Sequence, residues 1–217
     1  VSVTFVSLIL LLPMSALVRE LSHLTPAGYW EIITNPQTLA ALRVTLLSAF
    51  WASVFNCVAG VLLAWVLARY RFPGRGILDA LIDLPFALPT AVAGLTLSAL
   101  FAEDGWYGAW LSIFGIKVSY TWLGIVVAMA FTSIPFVVRT VEPVLEDLGK
   151  TTEEAAETLG ATKGQIFRRV ILPEILPSVA AGTTLAFCRS LGEFGAVIFI
   201  AGNIAYETEV LSLMVFM

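Results

Sequence analysis

Long apolar runs separated by short polar segments set the pattern of this chain. The first run extends from Val1 to Val18 and stops at Arg19-Glu20. A second covers Leu39 to Ala68 and closes on Arg69-Tyr70-Arg71. After a turn containing Pro73, Gly74 and Gly76, a third spans Ile77 to Phe101, interrupted by Pro85 and Pro89. A fourth lies over Tyr120–Val141, with Pro135 near its inner end, and a fifth over Ile175–Gly202. A sixth begins near Val210 and is cut off at Met217. A membrane-crossing helix needs about 20 mostly apolar residues, so the pattern predicts an all-α membrane protein with five spans and the start of a sixth. The chain opens on Val1, so an upstream piece is expected. A signal peptide is discounted for the first run because no small-residue cleavage site follows it. No repeat of 20–50 residues and no linker divides the sequence, which predicts one domain over 1–217.

One stretch breaks the pattern. Between Thr151 and Pro173 the chain reads Thr-Thr-Glu-Glu-Ala-Ala-Glu-Thr-Leu-Gly, then a basic run, then Val170-Ile171-Leu172-Pro173. Thr151 with Glu154 and Thr162 with Gln165 both have capping-box spacing. Gly160 lies between them, where a helix stop calls for left-handed geometry. The expectation is two short helices joined by a glycine turn, on the water side of the membrane. A few polar residues would suffice to link two spans, so the segment reads as a docking surface.

Composition narrows the class. Apolar residues make up 59% and charged residues 13% of the 217, against roughly 25% charged in soluble domains. Mean hydropathy is +0.91. A net charge of −4 without a basic patch argues against nucleic acid as a partner. Cys57 and Cys188 fall in apolar segments and read as small buried thiols. His23 is the lone histidine, read as a surface residue, and the lack of a His/Cys/carboxylate cluster argues against a metal enzyme. Basic residues gather in two loops: Arg69, Arg71 and Arg75 in one; Lys150, Lys163, Arg168 and Arg169 in the other, with Arg139 at its entrance. The other side carries Arg19 and Lys117, with Arg43 at a span edge. The positive-inside rule makes the first side cytoplasmic. Segments 20–38 and 102–119 then face out, and Trp30, Trp106, Tyr107 and Trp110 read as interfacial aromatics.

Three sets of residues carry a resemblance. Glu154-Ala155-Ala156, Gly160, and Val170-x-Leu172-Pro173 match the EAA loop of ABC importer permeases, with Val170 where isoleucine is usual. Arg189-Ser190-Leu191-Gly192-Glu193-Phe194-Gly195-Ala196 is similar to the fifth-span motif of oxyanion importers for sulfate and molybdate. Arg69–Arg75, Asp83–Gly94 and Ile198–Asn203 resemble the T-type permease of sulfate/thiosulfate importers. The resemblance implies a six-span importer-permease (MetI-like) fold, its sixth span truncated here, and a permease with no catalytic residues and no cofactor of its own. ATP would be hydrolysed on separate ATP-binding subunits docked at a coupling loop over 151–169. A second, related permease subunit, an extracytoplasmic sulfate-binding protein and membrane lipid complete the implied partners, in the inner membrane of a bacterium. Glu154, Ala155, Ala156 and Gly160 become the ATPase-coupling residues. Two small alanines would let a partner backbone come close, and Glu154 favours the positive end of the helix dipole. A molybdate or tungstate importer is the alternative within the class.

Inside the membrane, Arg189 and Glu193 lie four apart, on one helix face near the middle of the fifth span. Charges at bilayer depth face the bundle interior or a water-filled path. The pair reads either as a structural lock or as a contact for a passing dianion. Gly192 with Ala196 reads as a small-xxx-small helix contact. Asp83, Pro85 and Pro89 form a second candidate gate, because each proline removes a backbone donor and bends a helix; a packing kink is the other reading. Gly149-Lys150-Thr151 imitates a phosphate-binding loop, but Val144 replaces its upstream glycine and no strand precedes it. Two other classes stand beside the importer. An ion-coupled carrier would need no docking helix, and an intramembrane enzyme would need a nucleophile–base pair that is not apparent.

Overall fold

The computed structural model describes residues 4–5, 7–22, 25–149 and 151–216. His23 and Lys150 lie outside the described residues. Every regular element among those described is helical. Residues 1–39 and 40–217 form two compact units. The first contains a π-turn at Ser7–Leu11, α1 (Leu12–Ser22) and α2 (Pro26–Thr34). Thr25 caps α2, its hydroxyl accepting from the Gly28 N–H at 3.2 Å.

Three helices, lying in the second unit save for the first four residues of one, are long and apolar enough to cross a membrane. They are α3 (Pro36–Arg69, 34 residues), α7 (Trp122–Leu148, 27 residues) and the continuous helix Lys163–Leu191 (29 residues). Helix α3 shows why the sequence reads as lipid-embedded. Its buried side is small and polar: Ala41, Thr45, Ser48, Ala49, Ala52, Ser53, Asn56, Gly60 and Ala64. Its exposed side carries Phe50, Trp51, Phe55, Val58 and Leu62. A water-soluble helix has the opposite arrangement. In lipid, association comes from close backbone approach and interhelical hydrogen bonds, so the small residues turn inward.

The third apolar run is not one bent helix. It forms α4 (Arg75–Ala87) and α5 (Thr90–Phe101), related by a 116° bend. Of the two prolines only Pro89 lies at the break. The residue before a proline is driven out of helical geometry, and Leu88 is extended (φ −83°, ψ 136°). Pro85 sits buried inside α4, which runs on for two residues beyond it. At thirteen and twelve residues, each half is about 20 Å long and too short to cross alone.

A short helix α6 (Trp106–Ser112) precedes α7. After α7 come α8 (Thr151–Thr158), α9 (Lys163–Ile166), a π-turn at Phe167–Ile171, α10 (Leu172–Leu191), α11 (Val197–Ile200) and α12 (Leu211–Phe216). The π-turn has an identifiable cause. Pro173 lacks an N–H and its ring crowds the preceding turn; the turn widens so that the Leu172 N–H reaches back to the Phe167 carbonyl. The second short rod expected from Thr162 therefore does not stand free but continues through α9 and the π-turn into the fifth span. That span also ends earlier than its hydropathy implied, at Leu191 rather than Gly202. The expected Gly192–Ala196 helix contact is absent because neither residue is helical. Close approach occurs elsewhere. A Cβ at Gly182 would lie 3.0 Å from the Val137 Cα, and one at Gly60 2.7 Å from the Val137 Cβ.

Cys57 and Cys188 are both free, with Cys188 exposed rather than buried. Trp30, Trp106, Tyr107 and Trp110 are all exposed.

Candidate functional site

At the end of the second unit where α3 and α7 finish, the chain builds a compact knuckle. Helix α8 carries Glu153 and Glu154 in its first turn, favourable against the positive helix end. It stops in a Schellman arrangement. The Ala161 N–H donates to the Ala156 carbonyl (3.1 Å) and the Gly160 N–H to that of Glu157 (2.9 Å). Gly160 holds φ +82°, the left-handed geometry its position demanded. Thr162 then restarts the helix with a full capping box. Its N–H donates to Gln165 Oε1 at 2.8 Å, and the Gln165 N–H donates to its hydroxyl at 3.4 Å. The other expected box does not form. Thr151 is already helical, and the cap position falls on Lys150, outside the described residues.

The knuckle is clamped to the bundle by Arg69, for which the sequence suggested no contact with the 151–169 loop. Arg69, nine-tenths buried at the end of α3, pairs with Glu153 at 2.5 Å and donates to the Gly149 carbonyl at 2.9 Å. Its guanidinium lies 5.6 Å from the Trp65 ring centre, and Trp65 meets Phe167 edge-on at 5.7 Å. Ile166 and Ile171 are buried beneath. Ala156, expected on the partner-facing surface, turns partly inward onto this core. What remains outside is Glu154, Ala155, Glu157, Gly160 and Leu159, the last 88% exposed. Between the acidic face of α8 and the end of α3 lies a cleft of about 400 Å³, lined in part by Arg69, Glu153, Glu157 and Lys163.

Near the same end, α4 is tied to α7. Arg139 meets Asp79 and Asp83 at 2.7 Å each and Glu142 at 2.8 Å, while Arg75 reaches Glu146 at 3.3 Å. Asp83, expected as a gate residue, is held in this network. Nothing local in the sequence pairs residues 56 apart.

Arg189 and Glu193 come together, but not on one helix face. Arg189 occupies the last turn of α10, and Glu193 lies in the irregular 192–196 segment beyond it. Glu193 is 1% exposed; its carboxylate meets Arg189 at 2.6 Å and accepts the Ala196 N–H at 3.0 Å. Its carbonyl accepts the Ser212 hydroxyl at 2.8 Å. The start of α5 presses on the same segment, since a Cβ at Gly195 would collide with Thr90. The 88–89 break and the 192–196 break therefore face each other. The break of one helix is covered by the break of another, as exposed backbone at membrane depth requires. A polar chain missed from sequence lies nearby in the bundle. Asn56 donates to Ser133 (2.8 Å) and to the Ala130 carbonyl (3.0 Å), and Ser190 joins Ser133 at 3.0 Å. The signal was present, because Asn56 is the one amide in a charge-free run.

At the opposite end, Lys117 and Glu103 pair at 2.5 Å beside a cavity of about 330 Å³. Lys117 holds the Glu103 carboxyl below its usual range, and Glu103 raises Lys117. Both are exposed, so the pair is weak and screened.

Residues 57–213 match the family described as binding-protein-dependent transport system inner membrane component. A sulfate transport system permease protein of Escherichia coli is 70% identical over 99% of this chain and 78% of its own length. Its Salmonella typhimurium counterpart is 69% identical over the same shares. A Synechocystis one is 45% identical over all of this chain and 76% of its own length. With a helical bundle, a capped and anchored loop at one end and a buried charge pair among broken helices, the chain belongs to the family of inner-membrane components of binding-protein-dependent transport systems.

Proposed function

We propose that the chain is the transmembrane subunit of an ATP-driven importer for sulfate or thiosulfate. ATP is hydrolysed by separate subunits that dock on the 151–169 knuckle, which faces the cytoplasm. A second, related permease subunit lies alongside, and an extracytoplasmic sulfate-binding protein delivers the anion at the other end. The observation that carries this reading is the knuckle. Its inner side is locked to α3 through Arg69–Glu153, while Glu154, Ala155, Gly160 and Leu159 present an exposed outer side that none of the described residues of this unit covers. A rigid lever needs that combination, because force applied at the tip reaches α3 and the Lys163–Leu191 helix without being lost in loop motion. Sulfate as cargo rests on the names of the similar permeases and on the edge of the Arg189 guanidinium left open inside. Glu154→Lys is expected to lower co-purification of the ATPase subunit about tenfold, a loss of ~1.4 kcal/mol, while the permease still reaches the membrane. Unchanged co-purification would remove the docking role.

The second element of the proposal is the pathway. Arg189 is one-third exposed while its partner Glu193 is sealed, so a guanidinium edge remains available to a dianion, with Glu193 limiting how tightly it is held. The nearby start of α5 adds the positive end of a half-helix. Pro89 sets that start, and Pro85 and Asp83 belong to the cytoplasm-side half, which Asp83 ties to Arg139. Arg189→Gln is expected to cut uptake of labelled sulfate roughly 100-fold, ~2.7 kcal/mol, with ATPase docking intact. Full uptake by this variant would remove the pathway role.

A further inference from the structure

Arg69, Arg75, Arg139 and Arg189 each pair with a carboxylate of the second unit. Arg71, Arg168 and Arg169 make no ion pair among the described residues but lie in the loop and turn at the knuckle end. Arg43 is placed differently. It lies on the apolar helix α3, is exposed, and makes no ion pair or hydrogen bond among the described residues. Beside it runs a groove of about 430 Å³ along one face of α3, formed by Ala40, Arg43, Val44, Leu47 and Trp51 and flanked by Trp122 and Tyr206. The spacing 40, 43, 44, 47, 51 is one helical stripe, about 16 Å long at 1.5 Å per residue.

Depth follows from the same helix. Between Arg43 and Arg69 lie 25 uncharged residues, about 37 Å of helix, enough for the ~30 Å hydrocarbon layer. Arg43 thus marks the polar boundary at the end opposite the knuckle, and the rest of the groove points toward the membrane interior. Trp122, the first residue of α7, sits at that boundary, where amphipathic rings are enriched. Tyr206 sits there in a strained turn. Its φ of +69° is unusual for a bulky residue. A tight turn maintains it, in which the Glu207, Thr208 and Glu209 N–H groups all donate to the Ile204 carbonyl (2.9–3.1 Å). Backbone strain of this kind persists where surrounding structure fixes it and marks positions with a task.

We propose that this groove holds one anionic phospholipid, its phosphate forked by the Arg43 guanidinium and one acyl chain lying over Val44, Leu47 and Trp51. An uncompensated cation beside apolar surface at headgroup depth calls for an anion that itself carries an apolar tail. The planar guanidinium suits bidentate contact with phosphate oxygens. A net-negative headgroup of the phosphatidylglycerol class neutralises Arg43, whereas a zwitterionic one brings its own ammonium. The proposal uses the membrane embedding of the chain and not the identity of its cargo.

Native mass spectrometry of the assembled importer tests it, after delipidation and titration with palmitoyl-oleoyl phosphatidylglycerol or its phosphatidylethanolamine analogue. Wild type is expected to retain one phosphatidylglycerol that survives detergent exchange. Arg43→Gln should weaken retention about tenfold and Arg43→Lys less, because lysine keeps the charge and loses the fork. Phosphatidylglycerol bearing a diazirine on its acyl chain should label residues 44–51 of the unmodified importer, a readout that needs no variant. Equal retention of both lipids by wild type, or undiminished binding by Arg43→Gln, overturns the proposal. So does disulfide capture of Arg43→Cys by the second permease subunit, which would make the groove a subunit interface.

Discussion

Glu193→Ala is expected to lower the stability of the purified importer by about 3 kcal/mol and to abolish uptake. The magnitude follows from what the carboxylate holds. Removing one partner of a buried ion pair costs ~3–5 kcal/mol because the other charge is left uncompensated. Arg189 is one-third exposed and recovers some solvation, which places the expected loss at the lower end. A second deficit comes from the Ala196 N–H, which loses its acceptor; an unsatisfied buried donor costs ~1–3 kcal/mol. Glu193→Gln separates the two, since its amide oxygen can still accept from Ala196 while the charge is gone. Thermal unfolding should therefore rank wild type above Glu193→Gln and Glu193→Gln above Glu193→Ala. Equal melting of all three would mean that the pair holds nothing together, and the broken segment would need another anchor.

How much of this was legible in the sequence depends on how local each feature is. The charge-free run ending at Arg69 gave α3, because length and hydropathy are properties of the segment itself. Gly160 and the Thr162–Gln165 box were legible for the same reason: cap chemistry is decided within four residues. The Thr151–Glu154 spacing was equally good on paper and failed by one residue, since helix α8 starts at Thr151 and not after it. Hydropathy could not show that the third run splits at Pro89 or that the fifth stops at Leu191, because apolar residues serve broken and continuous helices alike. Only the facing of the two breaks makes either tolerable in lipid. The polar contacts were least legible. Arg139 with Asp83 and Asn56 with Ser133 join residues 56 and 77 apart, and no spacing rule reaches across helices. Arg69 was visible as a basic loop residue, but its role as a clamp needed the position of Glu153.

The facing breaks also mark a position where an added side chain should do great harm. A Cβ at Gly94 would collide with the Ala196 carbonyl and lie 2.7 Å from the Ala196 Cα. Both obstacles are backbone, so no rotamer change relieves them. Gly94 sits on the buried side of α5, and Ala196 is the residue whose N–H Glu193 holds. To admit a side chain, α5 must move off the 192–196 segment or that segment must give up the Glu193 contact. Overpacking typically costs ~1–3 kcal/mol where side chains can adjust; here the rigid neighbours place Gly94→Val at about 3 kcal/mol or above. Gly192, which the sequence offered as a helix-contact glycine, is the control. A Cβ there meets nothing within 4 Å, and its φ of −91° suits any residue. Gly192→Ala should melt with wild type while Gly94→Val melts well below it and fails to transport. If Gly192→Ala were instead the damaging change, the fifth span would have to continue as a helix beyond Leu191, and Arg189 and Glu193 would share a helical face after all.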